Sequence, residues 1–129
     1  GVGSGVLSIL ALKMGARKVC AVDIDPLAIE EVKRNLQLNS LDGSRVELLL
    51  GEINVVQGKF DFVAANIGPY FHLEYLPEMK NLLERNGKIL LSGFEEGDLP
   101  RIEEKIREVG LKILETLVLS SWVSMVCQN

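Results

Sequence analysis

The chain has 129 residues, 47% hydrophobic and 25% charged, with 14 basic against 18 acidic side chains and a net charge of −4. That length allows one domain, residues 1–129, with a real core, and the acidic balance weighs against a broad nucleic-acid-binding face. No apolar run is long enough to cross a membrane, no Cys/His spacing matches a metal site, and Cys20 and Cys127 both lie in apolar runs, as buried thiols of a reducing, cytoplasmic compartment do.

In chain order, Gly1–Gly5 (GVGSG) is a glycine-rich loop with no strand before it. Ser4–Met14 reads as a largely buried helix closed by Gly15. Lys18–Asp23 (KVCAVD) is a short apolar run ending in acid, as a buried parallel strand would. Asp25 and Pro26 are the cap and first residue of a helix reaching about Leu38. Its apolar stripe is Ile29, Val32 and Leu36, and Glu30 faces Arg34 one turn on.

Arg45–Leu50 and Lys59–Ala65 are the next strands, joined through Gly51–Gly58 without an obvious full helix. Leu73–Leu83 reads as a helix, and Arg85–Gly87 turns the chain into a strand at Lys88–Ser92. Asp98 caps a helix with the stripe Ile102, Ile106 and Val109, closed by Gly110. The last two strands are joined only by Ser120 and Ser121, so they form an antiparallel hairpin. The fold class is therefore α/β: a doubly wound, mostly parallel sheet ending in an antiparallel hairpin. A strand before Gly1 would complete seven strands. It is expected between Lys18–Asp23 and Lys59–Ala65, with an acidic residue near the loop.

In such sheets ligands sit beyond the carboxyl ends of the strands. Bare glycine backbone permits close approach, and the following helix presents free N–H groups. Asp23, 22 residues after Gly1, can accept both hydroxyls of a ribose. The dinucleotide pattern G-x-G-x-x-G is not met, because Val6 stands at its sixth position and the third glycine comes one place early. That disfavours a nicotinamide enzyme.

With these features the chain resembles a class I S-adenosylmethionine-dependent methyltransferase of Rossmann-like fold. Within that class it is most similar to the PrmA family, bacterial enzymes that methylate amino groups of a ribosomal protein. The stretches that carry the resemblance are GVGSGVLSILALKMGARKVCAVDIDPLAIEEVKRN, KFDFVAANI and LLERNGKILLSG. The resemblance implies S-adenosyl-L-methionine as cofactor. It passes the methionyl end over Gly1 and Gly3, binds the ribose through Asp23 and packs adenine on Ile24. It sets Glu52 toward the adenine amino group, and places Asn66 at the methyl-transfer site, in contact with cofactor and catalysis alike.

From the residues themselves, Ile24 is equally explained as core, Glu52 as a solvated loop acid and Asn66 as a turn residue. His72 is expected at the surface or a helix start. The family continues after Ala65–Ile67 with an aliphatic residue and no proline. Here Gly68–Phe71 reads GPYF, similar to the Asn-Pro-Pro-Tyr motif of enzymes that methylate planar amino groups but offset by one residue. Two other readings stay open: a class I methyltransferase acting on a small-molecule or nucleic-acid amine, and a cofactor-binding domain without activity.

Overall fold

The computed structural model describes residues 1–129. Their packing divides into two units, Gly1–Val56 and Gln57–Asn129.

The first unit begins with the glycine loop and α1 (Val6–Lys13). Gly5 precedes the helix at φ 81°, and a Cβ there would lie 3.0 Å from a methyl of Val32. Glycine is thus required by both backbone and packing. The helix closes where the amides of Gly15 and Ala16 return to the carbonyls of Leu12 and Ala11. It buries Ser8 and Leu12, whereas Val6, Leu10 and Met14 are 63%, 51% and 79% exposed. The expected buried helix is therefore buried along one side only, since residues four apart share a face.

β1 (Val19–Asp23) and β2 (Val46–Leu50) pair in parallel, Val19 opposite Val46 through Asp23 opposite Leu50. Between them runs α2 (Pro26–Leu38), with the expected cap: Asp25 accepts from the Leu27 amide at 2.8 Å. Ile29, Val32 and Leu36 are buried. Leu12, Val32 and Leu36 form the core cluster, with Val2, Ile9, Val19 and Leu48 packed against it. Glu30 pairs with Lys33 at 2.6 Å rather than with Arg34. Neighbours three and four along are nearly equivalent on an exposed helix face. After β2 the chain makes a single 3-10 turn at Ile53–Val55.

The second unit is a four-stranded sheet in the order β3-β4-β6-β5. β3 (Phe60–Asn66) runs parallel to β4 (Leu83–Glu95). β6 (Trp122–Gln128) is antiparallel to both β4 and β5 (Lys112–Leu119), giving the expected terminal hairpin. α3 (Pro69–Asn81) and α4 (Leu99–Glu108) complete the unit. Its core includes Leu76, Met79, Leu83, Ile89, Leu91, Phe94, Ile102, Ile106, Val123 and Met125.

Four expectations need correction here. α3 begins at Pro69, not Leu73, because Pro69 takes the first helical position after Gly68. His72 therefore lies in the first turn of the helix, as the helix-start expectation had it, but it is 0% exposed and not at the surface. Arg85–Gly87 is a bulge within β4: pairing jumps from Phe60 opposite Leu83 to Phe62 opposite Lys88, with Asn86 at φ 63°. Asp98 precedes α4 but makes no side-chain cap to it. Its carboxylate instead accepts from the Glu95 amide across the 3-10 turn Glu96–Asp98. Of the two thiols, Cys127 is buried and Cys20 only half-buried.

Candidate functional site

In the first unit the glycine loop is tied to the end of β1. The Val2 amide donates to the Val22 carbonyl at 3.0 Å, and the Gly5 amide donates back to the Val2 carbonyl at 3.0 Å. The Gly3 amide donates to Asp23 Oδ2 at 3.0 Å, and the Asp25 amide to Asp23 Oδ1 at 3.0 Å. The Gly1 amino group donates to the Val22 carbonyl at 2.8 Å and lies 3.8 Å from Asp23 Oδ2. Gly1, Gly3 and Asp23 are thus brought together. From below, Asn35 Nδ2 of α2 donates to the Ser4 carbonyl at 2.8 Å.

Asp23 is only 8% exposed. Burial by itself raises its pKa, but the amides of Gly3 and Asp25 and the nearby amino group together hold it below the usual carboxylate range. The group is a fixed anion with both oxygens oriented. A carboxylate offers about four acceptor sites: the Gly3 amide takes one on Oδ2, which also faces the Gly1 amino group, and the Asp25 amide takes one on Oδ1. Gly3, at φ 54°, has nothing within 4 Å of where a Cβ would stand, so the turn is open on that side.

Ile24 is 71% exposed, which rules out the core reading of that side chain. Glu52 is exposed and makes no side-chain cap at the Ile53–Val55 turn. The preceding Gly51 amide donates to the Asp23 carbonyl at 2.8 Å, which holds this segment at the end of β1.

Asn66 belongs to the second unit, at the carboxyl end of β3, opposite Ser92 of β4. The next residue on β4, Gly93, is bulged: its neighbours Ser92 and Phe94 face Ser124 and Val123, which are adjacent on β6. Gly93 has φ 87°, and a Cβ on it would lie 2.7 Å from the Ile67 carbonyl oxygen and 2.8 Å from Asn66 Oδ1. The Asn66–Ile67 turn thus rests directly on bare glycine backbone. Tyr70 is 75% exposed, with the Arg101 guanidinium 5.6 Å from its ring centre.

Asn35, His72, Ser92 and Gly93 were not singled out from the sequence as supports of these turns. Asn35 was legible as a polar residue next to the buried Leu36 on α2. Gly93 stood inside the LSG stretch, but its bulge depends on pairing with a strand some thirty residues later.

A glycine loop leading into a helix, a strand-end acid, parallel strands with crossover helices and a closing antiparallel hairpin define a Rossmann-like methyltransferase fold. The family model described as ribosomal protein L11 methyltransferase (PrmA) matches residues 1–129. The chain belongs to that family. It is 36% identical over 128 residues to the ribosomal protein L11 methyltransferase of Lactobacillus acidophilus, covering 97% of this chain and 40% of that protein. It is 36% identical over 132 residues to the Dictyoglomus turgidum protein of the same name, covering 100% of this chain and 42% of that one. The crystal structure of the ribosomal protein L11 methylase from Lactobacillus delbrueckii subsp. bulgaricus superposes with a TM-score of 0.93 at 30% identity, covering 98% of this chain and 66% of that chain. The chain spans about two fifths of the length of the curated relatives it matches.

Proposed function

We propose that the chain forms the cofactor-binding and methyl-transfer part of an S-adenosylmethionine-dependent enzyme that methylates an amino group of a ribosomal protein, in the cytoplasm. The observation that carries this reading is the joint between Gly3 and Asp23. The loop amides of Val2, Gly3 and Gly5 are already engaged by protein acceptors, and a carboxylate stands beside them. A pyrophosphate would meet few free donors and a like charge there. A ribose hydroxyl pair, or a ligand with positive charge, meets oriented acceptors. The donor set therefore fits S-adenosylmethionine better than a nicotinamide dinucleotide.

In this reading Asp23 holds the ribose, Gly1 and Gly3 leave room for the methionyl portion, and the exposed Ile24 offers an apolar surface to adenine. Glu52 stands as the acceptor for the adenine amino group. The cofactor supplies a sulfonium methyl already activated for in-line displacement. The chain's own contribution is alignment and exclusion of water. A lysine amine must lose its proton before it attacks, and only about one in a few thousand is neutral at pH 7. Asn66 cannot serve as a strong base. Its carbonyl oxygen can accept from the neutral amine and orient the lone pair, and the exposed Tyr70 lines the approach.

Calorimetry with S-adenosylhomocysteine and with NAD separates the cofactor classes: binding of the first and not the second is expected, and the reverse would overturn the assignment. Asp23→Ala should weaken S-adenosylhomocysteine binding about ten- to a hundred-fold, the worth of hydrogen bonds to a charged group. Asn66→Ala should cut turnover by about a hundred-fold, the cost of a misplaced reactant, with a much smaller effect on cofactor affinity. Mass spectrometry of ribosomal protein L11 incubated with the enzyme and labelled methyl donor tests the substrate. Label in a nucleic acid or small molecule but none in the protein would reject it.

A further inference from the structure

His72 is a fully buried titratable residue on α3, and the mechanism above does not use it. Its Nε2 lies 2.7 Å from the Ser92 carbonyl oxygen. The Ile67 amide donates to that same oxygen at 3.1 Å. A carbonyl can only accept, so Nε2 carries the hydrogen, and both lone pairs of the Ser92 oxygen are engaged. Nδ1 is then a bare nitrogen, buried and without a hydrogen-bond partner. The ring also packs edge-on against Phe94, with centroids 5.5 Å apart. It therefore touches the residues on both sides of the bulged Gly93. On the opposite side, Ser92 Oγ donates to the Val123 carbonyl at 3.0 Å and lies 2.9 Å from Ser124 Oγ.

We propose that His72 is a positioning residue: through the Ser92 carbonyl it locks the β4 bulge against Ile67, and so fixes the side chain of Asn66 for the acceptor amine. An aliphatic residue would fill the same space without leaving a bare buried nitrogen. What the imidazole adds is one N–H, and that N–H goes to the carbonyl that also holds the residue after Asn66. Gly93 transmits the constraint, because Asn66 Oδ1 and the Ile67 carbonyl oxygen occupy the space that a side chain on it would need. Burial keeps the ring neutral, against the pull of the Ser92 and Ile67 backbone toward the charged form, and the neutral ring is the state this geometry requires.

The kinetic part of the test rests on the methyltransferase reading; the spectroscopic part does not. Nitrogen NMR of the ring should show the neutral Nε2–H tautomer at pH 7. An Nδ1–H tautomer or an imidazolium would overturn the proposal. In His72→Leu the side-chain amide signals of Asn66 should move, whereas in His72→Gln, which keeps a donor near the Nε2 position, they should stay close to wild type. Unmoved signals in His72→Leu would also overturn it.

With the full protein, His72→Leu should lose about ten- to a hundred-fold in kcat at near-wild-type KM and S-adenosylhomocysteine affinity, and His72→Gln should recover most of that loss. Equal kcat in the two variants would count against positioning. His72→Met replaces the leucine variant if the latter does not fold. Should the wild-type protein neither bind S-adenosylhomocysteine nor transfer methyl, the functional reading fails, and the tautomer and the Asn66 signals still decide the role of His72.

Discussion

Two residues resist protonation in the folded state, which makes the molecule sensitive to acid in separate pH windows. His72 is buried neutral, with its pKa lowered by burial from the ordinary value of 6.5. Below about 6.5 the unfolded chain takes up a proton that the folded chain refuses, so folding stability falls as the pH drops through that value. Urea titrations at pH 7.5 and 5.5 should show this loss, and His72→Gln should remove the slope across that interval. Asp23 acts in the same sense, at lower pH. Burial pushes its pKa up, but hydrogen bonding to the loop amides more than offsets this and holds it below 3.8. Its contribution is complete above that value and fades only as the pH falls through the lower folded one. A third residue acts by shape. Gly93→Ala sets a methyl 2.7 Å from the Ile67 oxygen, and should cost about 2 kcal/mol by overpacking, read from the shift of the denaturation midpoint. A midpoint within error of wild type would show that the Asn66–Ile67 turn yields freely.

At the scale of elements, local chemistry decided what could be foreseen. α2 was legible to the residue because its cap, its first proline and its apolar stripe all agree. α3 was not, because Gly68-Pro69 looks like loop punctuation and serves instead as the entry to a helix. The Asp98 cap failed for a related reason: in the 3-10 turn ahead of α4 its carboxylate is engaged by the Glu95 amide. The terminal hairpin was foreseen from its two-residue link, and Ser120 and Ser121 have φ values of 49° and 69°. Two left-handed residues in a row are what a primed hairpin turn requires, and glycine or asparagine adopts them with less strain than serine. Ser121→Gly should therefore stabilise the protein by about 1 kcal/mol, detectable in thermal melts. A loss of stability would mean that the serine side chain supports the turn.

Across the whole chain the two units differ in how much they bury. The first rests on the cluster Leu12, Val32 and Leu36 with partly buried neighbours, whereas the second encloses most of the fully buried side chains, Phe94, Leu76 and Met125 among them. Native-state hydrogen exchange should find the slowest amides on β4 and β6, with β1 and β2 opening at lower free energy. Equal protection in both units would contradict that ranking. The same contrast explains what the sequence revealed of the candidate site. Gly1, Gly3 and Asp23 form a near neighbourhood built by one strand and one loop, and the glycines and the strand-end acid announce it. The surroundings of Asn66 are assembled from β3, α3, β4 and β6, and no local pattern reports a bulge set by such distant pairing.

That central position of β6 gives one of its residues a use as a clock. Cys127 faces Ile89 on one side and Ile113 on the other, and burial pushes its thiol up to about 11. An alkylating reagent, which needs an accessible thiolate, can reach it only when the packing over that face of the sheet opens. The rate at which Cys127 is modified therefore counts openings of that packing, and comparing that rate with and without ligand would time how far binding steadies it.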